Sequence, residues 1–280
     1  MKSFSGKVAA ITGAGSGMGR ELAIELAKRG CHLALSDINE AGLADTVTLL
    51  AGSSVRVTTQ RLDVAERAAV HAWADQVAAE HGKVNLIFNN AGVALGSTVE
   101  GMSYADFEWL MNINFWGVVH GTKAFLPHLR RAGEGHVINL SSLFGIAAIP
   151  TQSAYNASKF AVRGFTESLR QELEMSGPEL SATSVHPGGI KTNIARSARF
   201  ADNLKGTYVR SEAEGKQQFE KMFITSANRA ACIILRAVER NKRRVLVGPD
   251  ATALDLLVRL LPALYQRFIM WGTRRTMRAA

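Results

Sequence analysis

The stretch SAYNASKFA, Ser153 to Ala161, sets Tyr155 and Lys159 four residues apart among small and apolar neighbours. On a helix, two side chains at that interval project from one face. A phenol with an ordinary pKa of ~10 is a poor base near neutral pH. An ammonium beside it favours the phenolate and lowers that value. Such a pair can take a proton from an alcohol and return it to a ketone, general acid–base work that typically contributes ~10²–10⁴-fold. The plainer reading is two amphipathic side chains on an ordinary helix. What the pair means depends on what the rest of the chain brings to it.

A second stretch with chemical potential is TGAGSGMG, Thr12 to Gly19, which sits between the strand-like KVAAIT and the helix-like RELAIELAKRG. Glycines let a backbone turn tightly and approach a pyrophosphate, and a helix N-terminus offers unpaired N–H groups and a positive dipole end. A turn without a ligand would also use glycines. The spacing is not the usual dinucleotide fingerprint, because Met18 or Arg20 falls where its last glycine belongs. Asp37 ends the second strand, ~20 residues beyond the loop, where an acid can bond ribose hydroxyls. A turn or helix-cap role is its alternative. A carboxylate there would repel a 2′-phosphate, and neither Ile38 nor Asn39 supplies a cation. NAD(H) is therefore expected ahead of NADP(H), which stays open.

The elements that must position these residues alternate. Short runs rich in Val, Ile and Leu (KVAAIT, HLALSD, VRVTTQRLD, VNLIFNN, GHVINLSS, LSATSVHPG, RRVLVG) are separated by helical patterns. Leu22, Leu26 and Arg29 mark the first helix, which Gly30 stops, and Ala68, Trp73 and Val77 mark the third. One long helical stretch reaches about Arg131. Alternation implies right-handed crossovers and a parallel sheet covered on both faces. The fold expected is α/β, a single-domain, Rossmann-like, doubly wound parallel sheet of about seven strands with a C-terminal helical extension. Residues 1–250 form the dinucleotide-binding and catalytic domain, and 251–280 an amphipathic basic extension of it. Ligands of such sheets bind beyond the carboxyl ends of the strands.

The glycines at 13, 17 and 19 follow TGxxxGxG, and with NNAG (Asn89 to Gly92), YxxxK and HPGGIKT the chain resembles the short-chain dehydrogenase/reductase family from about Lys7 to Gly248. Asn114, Ser142, Tyr155 and Lys159 match that family's catalytic tetrad in identity, order and approximate spacing. The resemblance implies an NAD(P)-dependent alcohol dehydrogenase or ketone reductase. In it Tyr155 is the general acid and base, and Ser142 holds the substrate oxygen. Lys159 also binds the nicotinamide ribose, and Asn114 holds a water of a proton relay. The cofactor would meet Gly13, Ser16, Gly17, Met18 and Gly19 in the loop. Beyond the loop it would meet Asp37, Asp63 and Val64 at the adenosine end, then Asn90, Ala91 and Gly92. Pro187, Gly188 and Thr192 would border the nicotinamide, while Asn89 braces the sheet. Members of the family commonly form dimers or tetramers through the helices flanking the fifth strand. A catalytically silent dinucleotide-binding sensor or scaffold is the rival reading, and it predicts a damaged tetrad.

Substrate walls are expected after the fourth, fifth and sixth strands. They comprise Val93 to Leu95, Leu143 to Ile149, Gln152, and a lid-like segment from Gly189 to about Phe223. Ser142, Leu143, Gln152 and Tyr155 are the substrate contacts. LFGIAAIP carries no charge, which favours a small hydrophobic alcohol or ketone. Only Cys31 and Cys232 are present, so neither a disulfide framework nor a zinc site is expected. The first apolar run breaks into glycines too early for a signal core, and the cytoplasm is the expected compartment. The net charge is +9; from Arg236 onward ten basic residues oppose three acids, a net +7. That confinement to the tail, without a reading motif, argues against nucleic acid. In the tail, Asp255, Arg259 and Gln266 form a narrow polar stripe in an otherwise apolar helix that Pro262 kinks. The stripe argues against a span. It leaves cover for the substrate pocket, subunit packing, or contact with an anionic membrane through Arg274, Arg275 and Arg278, with packing preferred.

Overall fold

The computed structural model describes residues 1–204 and 211–279. Seven parallel strands form one sheet: β1 (Val8–Thr12), β2 (His32–Asp37), β3 (Val57–Arg61), β4 (Leu86–Asn89), β5 (Gly135–Leu140), β6 (Leu180–Pro187) and β7 (Arg244–Val247). Their order is β7-β6-β5-β4-β1-β2-β3. The doubly wound architecture expected from the alternation is the one observed. The order reverses between β1 and β4, which opens a crevice beyond their carboxyl ends.

β1 shows why the runs read as continuously apolar. Val8 and Ala10 pack on one side with Trp73, Val77 and Phe125, whereas Ala9 and Ile11 pack on the other with Leu22, Leu26 and Ile234. Successive side chains point to opposite faces, and both faces are covered, so no polar alternation survives. One layer holds α1 (Gly17–Ala27), α2 (Glu40–Leu49) and α8 (Ala227–Glu239). The other holds α3 (Arg67–His81), α5 (Gly117–Arg131) and α6 (Ser153–Ser176), with Trp73 edge-on to Phe125 at 5.1 Å.

Several local readings are corrected. α1 ends at Ala27, and Arg29 lies past it, paired with Glu239 at 3.1 Å. Ala68 is exposed, and Val70 takes its place in the buried stripe of α3. The long helical stretch is α4 (Tyr104–Met111), one π-turn over Asn112–Trp116, and α5. The widened turn carries Asn114, and such turns recur at functional sites. The kinked tail is two helices, α9 (Pro249–Leu260) and α10 (Tyr265–Ala279), with Pro262 in the turn between them. Asp255 does not lie on an exposed stripe. It is buried against Arg244 at 3.7 Å and Arg259 at 2.7 Å. The lid-like segment includes α7 (Glu212–Lys221), while 205–210 lie outside the described residues. Among the described residues no helix is long and apolar enough to cross a membrane.

His136 of β5 is fully enclosed, with Nε2 2.8 Å from Thr183 Oγ1. Burial, aided by the Arg170 charge, pushes its pKa down to about 3. The unfolded chain binds this proton near pH 6.5 and the folded chain does not. The stabilisation is therefore complete above ~6.5 and is lost as pH falls below it. His136→Gln should shrink the loss of unfolding free energy on going from neutral pH to about pH 5 by ~2 kcal/mol, read by urea denaturation at the two pH values.

Candidate active site

The residues past the strand ends meet in two connected hollows. A groove of 510 Å³ is lined by Gly13, Ser16, Gly17, Met18, Asp37, Asp63, Val64, Asn90, Ala91, Gly92 and Thr192. Nearly every residue expected to meet a dinucleotide is thus on one wall. Gly13 and Gly17 take positive φ values of 67° and 53°, which glycine adopts without strain. Gly19 is the exception, being buried rather than lining. A Cβ on it would run into the carbonyl oxygen of Gly13, so its role is the close approach of α1 to the loop. Ser16 caps α1 with extended backbone, and its side chain makes no capping bond.

Asp37 is held from both sides, Oδ2 by the Gly15 N–H at 2.8 Å and Oδ1 by the Asn39 N–H at 2.9 Å. Gly15 had no role in the sequence reading, yet it ties the loop to the ribose-side acid. Arg20 braces the same loop, donating to the Gly15 carbonyl at 2.5 Å. The hydroxyl of Thr12 accepts from the N–H groups of Asn90 and Ala91, both at 3.0 Å. Asn90 Nδ2 returns a bond to the Thr12 carbonyl at 2.9 Å. Asn89 bonds Asn139 Oδ1 at 2.8 Å and Thr122 at 3.1 Å, the bracing expected of it.

The second hollow, a cavity of 530 Å³, shares Met18, Asn90, Gly92 and Thr192 with the groove. Ser142, Leu143, Tyr155, Lys159, Pro187 and Gly188 line it. Tyr155 and Lys159, one turn apart on α6, are 8% and 4% exposed. Lys159 Nζ lies 5.5 Å from the centre of the Tyr155 ring and donates to the Leu140 carbonyl at 2.9 Å. Ser142 accepts from the Phe144 N–H at 3.1 Å, which leaves its hydroxyl proton to donate. Asn114 accepts from the Val93 N–H at 2.8 Å and donates to the Val93 carbonyl at 2.9 Å. Its side-chain amide is committed to holding that strap. Gly92 lies between Asn114 and Lys159: a Cβ there would sit 3.2 Å from Asn114 Oδ1 and 3.6 Å from Lys159 Nζ.

The electrostatics differ from the expectation that the ammonium lowers the phenol. Burial pushes Tyr155 up to about 12, opposed by a hydrogen bond with Ser142. Burial also pushes Lys159 down to about 8. Both groups lie on one dry wall, where burial disfavours the charged form of each.

Gln152 does not line the cavity. It precedes α6, bridges to Ser97, and buries an Oε1 for which the described residues supply no partner. Two contributions went unseen in the sequence. His186 holds the Ser142 carbonyl through Nδ1 at 3.0 Å and Ser184 Oγ through Nε2 at 2.9 Å. A carbonyl can only accept, so Nδ1 carries the proton. Burial pushes this histidine down to about 4, which keeps it neutral near pH 7. Asp250, past β7, lines the cavity and accepts from the Gly189 N–H at 2.6 Å. Its place after a strand end was the available signal. The tail, for which cover of the pocket was one of three expected uses, supplies Leu254, Phe268, Ile269, Gly272 and Thr273 as a further wall.

The model of the short chain dehydrogenase family matches residues 7–203, and the chain belongs to the short-chain dehydrogenase/reductase family, oxidoreductases with an NAD(P)-binding fold. SadH of Mycobacterium tuberculosis, an oxidoreductase by its name, is 48% identical over 280 residues, covering 98% of each chain. The CLA biosynthesis dehydrogenase/reductase of Lactiplantibacillus plantarum is 31% identical and covers 89% of this chain and 91% of its own. A Burkholderia phymatum family member solved in complex with NAD superposes with a TM-score of 0.85. It is 34% identical over 95% of this chain and 97% of that one.

A dinucleotide fits this groove: two glycines turn the backbone at the N-terminus of α1, and Asp37 closes the far end. Gly19→Ala should weaken NADH binding by at least about tenfold while leaving a folded protein. The loop can clear the new methyl only by moving away from its phosphate-binding position. Fluorescence titration with NADH measures it; native affinity in the variant would refute this role.

Proposed function

We propose that the chain interconverts an apolar secondary alcohol and its ketone, with NAD(H) ahead of NADP(H). The carrying observation is that Ser142, Tyr155 and Lys159 line one largely apolar cavity continuous with the dinucleotide groove. The bound nicotinamide supplies or accepts the hydride. Ser142 donates to the substrate oxygen and holds it beside Tyr155. With its phenol pushed up to about 12, Tyr155 stays protonated near neutral pH and is ready to give that proton to a ketone oxygen. In the reverse direction it must take the proton from an alcohol. The Lys159 ammonium is then the nearby positive charge that favours the phenolate. His186 keeps the Ser142 main chain in place, and Asn114 holds Val93 on the wall of the dinucleotide groove.

The substrate class follows from the walls. Leu143, Phe144, Ile149, Ile190, Phe219 and Phe268 offer apolar surface, and the charged side chains on the wall are Lys159 and Asp250. The preference for NAD(H) rests on Asp37, which both neighbouring N–H groups hold as a carboxylate acceptor, and is supported by the NAD complex of the Burkholderia relative. We place the assembly contact of a dimer or tetramer on α5 and α6, beside which Trp116 and Phe160 are exposed.

Tyr155→Phe should lower kcat by at least ~10²-fold with NADH affinity retained. The assay is NADH absorbance against a panel of apolar ketones and alcohols; turnover close to native would remove Tyr155 from the mechanism. Separately, Asp37→Ser should raise the ratio of kcat/KM with NADPH to that with NADH by about tenfold or more. A native enzyme that already prefers NADPH would sink the cofactor reading.

A further inference from the structure

The apolar residues of the tail are not all covered. Leu260 is 69% exposed, Leu264 47%, Phe268 55% and Trp271 62%. On α10, Phe268 and Trp271 are three residues apart and share one face, and Leu264 is exposed in the turn just before the helix. Arg267 and Arg274 are exposed on the adjoining flank, and Arg275 lies over the Trp271 ring at 4.7 Å. The remaining side of the helix faces the protein: Tyr265 is buried, and its hydroxyl oxygen accepts from the Ala148 N–H at 3.1 Å. Ile269, Gly272 and Thr273 line the cavity. Phe268 belongs to both surfaces.

We propose that α9 and α10 form a docking surface for an anionic phospholipid bilayer. The charge decides between this and a second copy of the chain. From Leu256 to Arg275 there is no acidic residue; Arg259 is paired with Asp255, and Arg267, Arg274 and Arg275 supply positive charge. A two-fold contact would set this face against itself, arginine row against arginine row, with no acid to pair. A bilayer with anionic headgroups complements it. Leucine, phenylalanine and tryptophan enter the interface, and arginines at the border keep their guanidinium groups among phosphates. Because Phe268 lies on both surfaces, docking would bring the cavity mouth to the membrane. That consequence for an apolar substrate rests on the proposed function; the docking itself does not.

The test is flotation of the full-length protein with phosphatidylcholine vesicles, with and without phosphatidylglycerol, at low and high salt. Binding should require phosphatidylglycerol and weaken with salt. Arg267→Gln with Arg274→Gln should lower partitioning roughly 30-fold. Leu260→Gln, Leu264→Gln and Trp271→Gln together should abolish it. NADH titration and thermal melting, which do not depend on knowing the substrate, should stay native in both variants. Failure of the native protein to bind any vesicle, or binding that survives the triple variant, would overturn the proposal. So would a drop in oligomeric mass of the triple variant by light scattering, which would assign the face to a contact between copies.

Discussion

A parallel strand has no short way back to its neighbour, so each connection must climb over a face of the sheet. That constraint organises this molecule. The crossovers cover both faces, every strand interior becomes dry, and all seven carboxyl ends come out on one edge. The glycine loop, Asp37, Asp63, Asn90, Ser142 and Pro187 are far apart in the chain. They become neighbours because each lies at or just past the carboxyl end of a strand of the same sheet.

The same burial that makes the sheet stable makes polar groups at its edge costly, and the site is built from how those groups are paired. The Thr12 hydroxyl gathers the start of the NNAG turn, and Asn89, Asn139 and Thr166 link the sheet to α6 in a chain of amide and hydroxyl bonds. His186 is fastened between Ser184 and the Ser142 carbonyl. These bonds fix the main chain at the points where the cavity walls begin. Within that frame Tyr155 and Lys159 sit where neither is easily charged. In the proposed reaction a neutral phenol is the form that can give its proton to a ketone oxygen.

The C-terminal helices add a wall to this shared edge. They cross the open side of the cavity, turn part of α10 inward, and leave the rest of its apolar surface outward beside a row of arginines. Packing and exposure on one short helix are thereby two sides of one geometry. The buried Asp255, paired with Arg244 and Arg259, fastens α9 to β7 and α6 neighbours, which is why its charge does not appear on the outer face.

The strand runs, the glycine loop, Asp37 and the Tyr155–Lys159 interval were legible in the residues themselves, by local rules: apolar runs of strand length, glycine where the backbone must turn, and an interval of four on a helix. Ser142 and Asn114 joined that pair only through the family resemblance. Gly15, His186 and Asp250 were not legible as site residues, because their meaning lies in bonds to residues 22, 44 and 61 positions away. Gln152 failed for the converse reason: its nearness in sequence to Tyr155 does not carry its side chain to the cavity. The split of the tail into two helices was half visible in Pro262. Its orientation was not, since a pattern of apolar and polar residues defines a helix's faces without saying which face finds the protein. By itself the sequence determined the fold, the family and the strand ends at which the candidate site residues sit. Only the tertiary structure decided how dry that site is and which part of the tail remains outside, because burial is a property of what packs around a residue.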